Sequence, residues 1–438
     1  MDDEIKKKLS DVIPKSIARR GGTTLDALLG PIKDLLNRKR FPEKPFSDSQ
    51  VEMLLQFLSS MDSDKDPKAV RVGEREGRVA SPLVERLSSG FNHGIGRSGH
   101  LNAPQPKAAG ASEMQVLANR ISLDAIRQLG LPNVRDGIVL PLATGMALGL
   151  IFASLRRDEN IRCVLYPRID HTSPKRGIAL AGLDEIPVAT IIEDDSVNVD
   201  MSDLENKMSR TKNYAVLATT TFFPPRAMDP VKTIARFCAD RDVPLVVNNA
   251  YGVQSENVMR EVMTSIDAGR VDAIVQSSDK NFLTPVGGSV VVSPKESTIT
   301  SIAETYAGRA SAAPIVQTLA SLLLIGLEKY RTMREEQKSN FGLLGEKLDV
   351  IASSVGQRVL SVSNPVAYAM TLDGLDAHEI GSRLFNRRVT GPRAIALGEK
   401  GSCVDHYPHS YIVMNAAIGV TKNDVEGATA KLYKELSS

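Results

Sequence analysis

The sequence predicts an α/β protein with a large, mostly parallel sheet, helices on both faces, a helical amino-terminal extension and a small carboxyl-terminal α/β unit. From residue 137 to about residue 292, short apolar runs alternate with helical segments, as in parallel sheets that are covered on both faces. The chain has 438 residues and is 42% apolar, which is enough to bury a large core. A long helical tract and a second, shorter α/β pattern follow.

The amino-terminal part, residues 1–66, is predicted to form a helical extension. A helix at residues 51–58 follows the capping signal Ser47-Asp48-Ser49. The basic clusters Arg19-Arg20 and Arg38-Lys39-Arg40 lie in this region, and on their own they indicate a solvated helix face. Residues 67–112 are rich in Gly, Ser, Arg and Pro and show little periodicity. A loop of this length inside a compact chain is usually functional or disordered.

The central part, residues 67–315, carries the predicted sheet. Its strands are the apolar runs at residues 138–142, 163–166, 187–192, 214–219, 244–247 and 273–275. Helices are predicted at residues 144–157, 202–208 and 231–240. Ligands of such sheets bind at the carboxyl ends of the strands.

The last part, residues 316–438, begins with most of the helical tract at 315–353, in which we allow for a break. Strands are predicted at residues 365–372 and 410–416, and helices at 377–386 and 424–436.

Composition narrows the function classes. The net charge of +2 provides no global field that would recruit nucleic acid or anionic membrane. The three cysteines, Cys163, Cys238 and Cys403, are too scattered for a disulfide framework or a zinc knuckle, and the six histidines lack metal-ligand spacing. The acidic start Met1–Glu4 has no apolar signal core, and no segment offers the apolar length of a membrane span. We therefore expect a cytoplasmic protein without a metal site.

Lys280 is the first candidate for chemistry. It lies in Ser277-Ser278-Asp279-Lys280-Asn281-Phe282, just past an apolar run and 32 residues after Asn248. A lysine after a buried strand is well placed to form a Schiff base with pyridoxal 5'-phosphate (PLP), since desolvation and nearby cations favour the reactive neutral amine. The alternative is an ordinary surface lysine at the end of a strand.

Three further features fit the same cofactor. Ala143-Thr144-Gly145 lies where a strand ends and a helix begins, so its backbone N–H groups favour a phosphate. Asn248 closes a strand and can hydrogen-bond a pyridine nitrogen, although it cannot stabilise a pyridinium by charge as Asp would. His171 either lies over the cofactor ring or is an ordinary loop histidine.

The loops contain more anion donors than one cofactor phosphate requires. Arg75, Arg97 and Arg309 have glycine neighbours, and Ser98, Gln105 and Lys107 lie close to them in sequence. This surplus predicts a second anion, which would be a phosphorylated or strongly acidic substrate. Pairing with nearby carboxylates, as between Arg78 and Glu74 or Glu76, is the alternative for each arginine.

Six ordered runs resemble the O-phosphoseryl-tRNA(Sec) selenium transferase family, and the similarity extends from about residue 40 to the carboxyl terminus. They are found at residues 73–81, 94–99, 105–110, 143–146, 248–255 and 279–282. The resemblance implies a PLP-dependent transferase of fold type I, assembled as a homotetramer (a dimer of dimers) with shared active sites. It also implies conversion of phosphoseryl-tRNA(Sec) to selenocysteinyl-tRNA(Sec), with selenophosphate as the selenium donor.

The resemblance also implies roles for individual residues. Lys280 matches the Schiff-base lysine, Asn248 the contact to the cofactor ring, and Arg75 and residues 143–145 the contacts to its phosphate. Ser98, Gln105 and Arg309 match the group that holds the substrate phosphate, and Arg97 lies in the same loop. Arg393 resembles an arginine near the tRNA discriminator base. The basic cluster Arg38-Lys39-Arg40 falls where the family grips the acceptor arm.

One position departs from the family pattern. After Pro167-Arg168-Ile169-Asp170, where eukaryotic members have Gln-Lys, this chain has His171-Thr172. The histidine can still stack on the cofactor ring, but the cation of the pair is lost, and Lys175 is close enough in sequence to replace it. The short amino terminus and compact carboxyl end resemble archaeal members.

Two other functions are weighed against this one. A PLP-dependent lyase or desulfurase acting on a free amino acid would need a mobile reactive cysteine, and none of the cysteines lies in the Gly-rich loops. A non-catalytic tRNA-binding protein with a PLP-enzyme fold would have no need for Lys280 and the anion donors.

Overall fold

The computed structural model of the protein describes Lys8 and residues 12–437. The acidic start Met1–Glu4 therefore lies outside the described residues. Fourteen α-helices are described in this part of the chain: α1 Lys15–Arg38, α2 Asp48–Ser59, α3 Pro82–Leu87, α4 Ala109–Gln128, α5 Thr144–Glu159, α6 Thr172–Leu180, α7 Met201–Arg210, α8 Val231–Asp240, α9 Glu256–Ala268, α10 Ser278–Phe282, α11 Glu296–Thr305, α12 Ala313–Ser354, α13 Ala377–Asn386 and α14 Lys422–Leu436.

The same residues contain twelve strands, which form three sheets. The strands are β1 Asp136–Leu140, β2 Cys163–Pro167, β3 Asp184–Val188, β4 Thr190–Glu193, β5 Ser196–Val199, β6 Tyr214–Thr219, β7 Leu245–Asn248, β8 Ala273–Ser277, β9 Ser289–Ser293, β10 Ala367–Thr371, β11 Arg393–Ile395 and β12 Tyr411–Asn415.

The largest sheet has seven strands in the order β1-β9-β8-β7-β6-β2-β3. Strand β9 pairs antiparallel with both of its neighbours, and the other six strands run in one direction. Residues of β2, β6, β7, β8 and β9 are buried throughout, as expected where helices cover both faces. The predicted α/β class with a mostly parallel sheet is confirmed.

The single strand predicted at residues 187–192 is wrong. The chain leaves the large sheet after Val188, and β4 pairs with β5 in a separate two-stranded sheet. Ala189 marks the break because its N–H donates to Asp203 Oδ2 (2.7 Å) and its carbonyl accepts from the N–H of Asp200 (2.9 Å). Its N–H is thus bonded to α7 and its carbonyl to Asp200, the residue before α7. Ala189 therefore cannot continue the hydrogen-bond ladder of the large sheet.

Residues 67–112 contain more regular structure than their composition indicates. Helix α3 begins after Ser81, whose hydroxyl accepts from the N–H of Val84, with Pro82 in the first turn. Helix α4 begins at Ala109, inside the predicted loop. The boundaries predicted after residues 66 and 315 stay predictions.

Helix α12 connects two hydrophobic cores. Its first half packs Ile315, Leu319 and Leu323 into the core around the large sheet. Its second half packs Leu344 and Leu348 into a core formed with the three-stranded sheet β10-β12-β11 and α14. A third core joins the other face of that small sheet to loops of the large one.

The break allowed for in the long helical tract is confirmed at Gly326, which has φ 61° and ψ 171°. The segment at residues 42–46 crosses the helix here and takes over its backbone hydrogen bonds. The N–H of Leu327 donates to the carbonyl of Pro42 (2.9 Å), and the N–H of Phe46 donates to the carbonyl of Leu323 (2.8 Å). The kink therefore follows from insertion of another segment into the hydrogen-bond pattern of the helix.

Across the described residues, no helix has both the length and the apolar content that crossing a bilayer requires.

We predict that Gly326→Ala destabilises the protein by about 1–3 kcal/mol. Its Cβ would lie 2.8 Å from the carbonyl carbon of Lys44, and positive φ is unfavourable for alanine. Gly342→Ala on the same helix is the control, because nothing lies within 4 Å of its Cβ and alanine favours helix. Thermal unfolding should show a lower midpoint for Gly326→Ala only. Equal midpoints for Gly326→Ala and wild type would contradict the role of the kink.

Candidate active site

A cavity of about 190 Å³ opens at the carboxyl edge of the large sheet. The loops that follow β1, β2, β6, β7 and β8 supply nearly all of its walls. The lining residues are Ala143, Thr144, Gly145, Ile169, His171, Ser173, Pro174, Thr221, Phe222, Phe223, Asn248, Ala250, Tyr251, Lys280 and Val366. Because these five strands run in one direction, their carboxyl ends meet in one place, where α/β sheets bind ligands.

Lys280 lies in the short helix α10, which begins directly after β8 ends at Ser277. Its Nζ is 3.2 Å from Ser277 Oγ and 3.8 Å from Asp279 Oδ2, and it lies 5.3 Å from the ring centre of Tyr251. The side chain is 30% exposed, and it faces the cavity. The amine is thus both held in place and accessible to a carbonyl group.

Ala143, Thr144 and Gly145 form the turn between β1 and α5. Ala143 is the N-cap residue of α5, and it provides no side-chain cap for the first turn of this 16-residue helix. The backbone N–H groups of that turn and the positive end of the helix therefore favour an anion. Thr144 Oγ1 is buried and has no hydrogen-bond partner among the described residues, so it can donate to the same anion.

Asn248 ends β7 and is 7% exposed. Its Oδ1 is also buried without a partner in the described part of the chain, as is Thr221 Oγ1 on the neighbouring loop. Buried polar atoms are almost always hydrogen-bonded, so three unpaired ones around a single cavity indicate a polar ligand. An uncapped helix, two hydroxyls, a strand-end amide and a lysine fit the phosphate, ring nitrogen and aldehyde of PLP.

His171 is the N-cap residue of α6, where its Nδ1 accepts from the N–H of Ser173 (3.2 Å). Its ring lies edge-on to Phe222, with centroids 6.1 Å apart. The pKa of His171 is lowered, first by desolvation among the cavity walls and then by the positive charges of Lys280 and Arg393. The ring is therefore neutral over more of the physiological pH range than a free histidine. Lys175 does not line the cavity and pairs with Glu185 (3.5 Å).

The predicted anion donors are not among the lining residues of this cavity. The loops that carry Arg97, Ser98 and Arg309 do lie side by side, because Ile95 and Ala310 exchange two backbone hydrogen bonds of 2.9 Å. Lys107, close to Gln105, forms an ion pair with Glu76, which ties that turn to the loop of Arg75. The Arg75 side chain is 80% exposed and contacts Glu74. Within one chain, the predicted anion donors, including Arg75, therefore lie apart from the residues that line the cavity.

The residues predicted to contact tRNA also lie apart. Arg393 is close to the cavity, with its guanidinium 5.6 Å from the ring centre of Phe223. Arg38 ends α1, Lys39 is its C-cap residue with φ 52°, and Arg40 follows. Arg38 and Arg40 line a different cavity of about 640 Å³ beside α1. No three His, Cys, Asp or Glu side chains of the described residues are grouped as metal ligands would be.

Sequence reasoning missed several lining residues, notably Ser173, Thr221, Phe222, Phe223 and Tyr251. The loop after β6 carries three of them, and the rule that ligands bind at the carboxyl ends of parallel strands would have indicated it. Tyr251 lies in the motif around Asn248, but its contact with Lys280 depends on how two loops fold together.

Comparison with known proteins links this chain to one family. The family model described as O-phosphoseryl-tRNA(Sec) selenium transferase matches residues 61–437. The transferase of that name from Methanopyrus kandleri is 44% identical over 97% of this chain and 99% of its own length. The transferase from Methanococcus maripaludis is 42% identical over 98% of this chain and 99% of its own length. The crystal structure of an archaeal O-phosphoseryl-tRNA(Sec) selenium transferase superposes with a TM-score of 0.93 at 42% identity, covering 96% of this chain and 98% of that one.

More distant structures share the fold alone. One is a serine palmitoyltransferase from S. paucimobilis with a bound PLP-myriocin aldimine, which has a TM-score of 0.55 at 12% identity. The superposition covers 82% of this chain and 85% of the palmitoyltransferase chain. The fold is thus that of PLP-dependent enzymes.

We predict that Gly177→Ala weakens PLP binding. Helices α5 and α6 cross so closely that a Cβ on Gly177 would collide with the carbonyl oxygen of Gly145. The crossing holds the uncapped start of α5 next to the start of α6, so separating the helices deforms the phosphate site. We expect the free energy of unfolding to fall by about 1–3 kcal/mol. We also expect a higher Kd for PLP, which fluorescence titration measures.

Gly427→Ala on α14 is the control, since its Cβ would meet nothing within 4 Å. An unchanged PLP affinity in Gly177→Ala would show that the helix crossing does not shape the site.

Proposed function

The chain belongs to the O-phosphoseryl-tRNA(Sec) selenium transferase family, and on that premise we propose how its residues convert O-phosphoseryl-tRNA(Sec) to selenocysteinyl-tRNA(Sec). The protein is a PLP-dependent transferase of selenocysteine biosynthesis, and tRNA(Sec) is its substrate. The observation that carries the proposal is the position of Lys280, which faces a cavity that also contains Asn248 and the uncapped start of α5.

Each of these groups has a part in holding the cofactor. Lys280 is the residue that links to PLP, and Asn248 contacts the ring nitrogen. The first turn of α5, with Ala143, Thr144 and Gly145, holds the phosphate, and Thr221 adds a hydroxyl. When bound, PLP withdraws electrons from the Cα–H bond of the amino acid attached to it. Because Asn248 carries no charge, this withdrawal is weaker than where an Asp occupies the position.

Lys280 also serves as the base of the reaction. With PLP bound and the phosphoseryl group in the cavity, the Lys280 amine would accept the Cα proton. Because the pKa of His171 is lowered, its ring is neutral at neutral pH and adds no positive charge beside the cofactor ring. Phosphate would leave from Cβ as the Cα proton is removed. Selenophosphate would then add its selenium to the same carbon and a proton would return to Cα. Water would cleave the Se–P bond and release the second phosphate.

The phosphate that leaves needs donors that offset its charge. We assign this role to Ser98, Gln105 and Arg309, with Arg97 in the same loop, and we assign Arg75 to the cofactor phosphate. These residues lie outside the cavity of their own chain, and that cavity is smaller than the roughly 300–1,000 Å³ of small-molecule sites. Both facts support a site that a second subunit completes.

A homotetramer, built as a dimer of dimers with shared active sites, fits this division. Residues 70–87, which include Arg75, expose apolar side chains that a second copy would cover, with Val70 and Val72 each 89% exposed and Leu87 71% exposed. Arg393 lies at the edge of the cavity, where the discriminator base of the tRNA would arrive. The cluster Arg38-Lys39-Arg40 would contact the acceptor arm. A cytoplasmic location fits a tRNA-dependent reaction.

A desulfurase acting on a free amino acid is less compatible with this chain. Such an enzyme needs an accessible thiol near the cofactor, whereas Cys163, Cys238 and Cys403 are all buried and none lines the cavity. Burial raises the pKa of Cys403 to about 12, and it also raises the pKa values of the other two thiols. All three are therefore protonated and unreactive at neutral pH.

Lys280→Ala should abolish the visible absorbance of lysine-bound PLP and reduce turnover to background, because no other amine faces the cavity in the described residues. Lys175→Ala is the matched control, since the amine of Lys175 pairs with Glu185 outside the cavity. Absorbance spectra of the purified proteins decide the matter. A visible band that survives in Lys280→Ala would exclude Lys280 as the cofactor lysine.

Arg309→Ala should lower kcat/KM for phosphoseryl-tRNA(Sec) by about 100-fold or more, because one donor to the leaving phosphate is lost. The PLP spectrum should stay unchanged. The assay supplies selenophosphate and identifies the amino acid attached to the tRNA by mass spectrometry, with free phosphoserine as a comparison substrate. Arg236→Ala, at an exposed position of α8, is the control. Loss of PLP from Arg309→Ala would mean that this arginine holds the cofactor and not the substrate.

A further inference from the structure

We propose that Gln254 is a positioning residue for Lys280, and that it ties the helix carrying this lysine to the chain segment that follows β12. The inference rests on the proposed function, in which Lys280 holds the cofactor. Gln254 does not touch the cofactor cavity, so it would act through the backbone of Lys280.

Gln254 ends the short 3-10 turn Gly252–Gln254 and is 2% exposed. Its Nε2 donates to the backbone carbonyl of Lys280 (2.7 Å), and its Oε1 accepts from the N–H of Ile418 (2.8 Å). A carbonyl can only accept and an N–H can only donate, so the two partners fix the orientation of the amide. One buried side chain thus bridges α10 and the carboxyl-terminal segment.

The carbonyl of Lys280 needs this partner. Helix α10 has five residues and ends at Phe282, and its C-cap residue Leu283 has left-handed backbone with φ 53°. Carbonyl groups in the last turn of a helix have no partner within the helix, and a buried one must find it elsewhere. The amide of Gln254 provides that partner for Lys280, the residue proposed to bind the cofactor.

A second contact joins the same two segments. Leu283, directly after α10, packs against Gly419, directly after Ile418. A Cβ on Gly419 would lie 3.2 Å from Leu283 Cδ2, and Gly419 has φ 95°. A polar bridge and an apolar contact therefore lie next to each other, and together they set the distance between α10 and the segment after β12.

The position of α10 determines where the amine of Lys280 points. Its Nζ is 3.2 Å from Ser277 Oγ and 5.3 Å from the ring centre of Tyr251, in the cavity that also contains the start of α5. Asn281 ties α10 to the loop after β7, since its Nδ2 donates to the carbonyl of Ala250 (2.8 Å). Without Gln254, α10 keeps that local contact and loses the bridge to the carboxyl-terminal segment. A displacement of about 1 Å at a reacting group costs on the order of 100-fold in rate.

The test compares Gln254→Met with Gln337→Met in the full-length, PLP-loaded protein. Methionine matches glutamine in length and removes both hydrogen bonds. Gln337 is a suitable control because it is 6% exposed and its Nε2 donates to the carbonyls of Pro365 (3.0 Å) and Ala416 (2.7 Å). Its loss weakens contacts to the same carboxyl-terminal region without touching α10.

We expect Gln254→Met to lower kcat by about 10- to 100-fold while KM for the tRNA substrate changes little. It should also shift the pH midpoint of the absorbance change of lysine-bound PLP, which reports the surroundings of the lysine nitrogen. Gln337→Met should keep both values close to those of wild type. Unchanged kcat and midpoint in Gln254→Met would overturn the proposal, and so would equal losses in the two variants.

Gln254→Glu keeps the shape of the side chain and the acceptor for Ile418, and its carboxylate cannot donate to Lys280. It should show the same loss of kcat above neutral pH, and wild-type kcat in this variant would also overturn the proposal. If the wild-type protein has no band of lysine-bound PLP, the proposed function is wrong. If wild type has the band and both Gln254 variants behave like it, only this inference is wrong.

Discussion

The common direction of β1, β2, β6, β7 and β8 is the constraint on which the site depends. Because these strands end at one edge, five loops that are distant in sequence deliver a lysine, an amide, hydroxyls and an uncapped helix to one cavity. The buried sheet cannot satisfy those polar groups, and Thr144, Thr221 and Asn248 are left with atoms that have no partner among the described residues. The fold thus leaves polar groups unsatisfied at the place where a phosphorylated ring compound can satisfy them.

In the function that we propose, the chain divides the work of the site between two regions. Apart from Arg75, the residues proposed to hold the cofactor lie around the cavity. The residues proposed to hold the substrate phosphate lie outside it, and Ile95 and Ala310 join the loops of Arg97 and Arg309. In the assembly that we propose, this division would make catalysis depend on contact between subunits.

Much of this could be predicted from local sequence, and the reasons for the failures are physical. Strand ends and helix starts are local properties, so the amino-acid pattern alone is enough to place Lys280, Asn248 and the turn at residues 143–145. The strand predicted at 187–192 failed because Ala189 bonds to Asp200 and Asp203, which no periodicity reveals. Aromatic side chains of the cavity were missed because their contacts join different loops. Arg75, Arg97 and Arg309 lie apart from the cavity because of how the loops fold in three dimensions, and residue types alone do not reveal this arrangement.

Where residues 42–46 cross α12 at Gly326, backbone hydrogen bonds attach the amino-terminal extension to the rest of the molecule. Pro42 and Phe46 bond to the backbone of α12, and the basic cluster that ends at Arg40 lies immediately before them. The second half of α12 carries the core beneath the small sheet, and Arg393 lies on that sheet. The basic cluster is therefore connected to the sheet that carries Arg393 through the kinked helix α12.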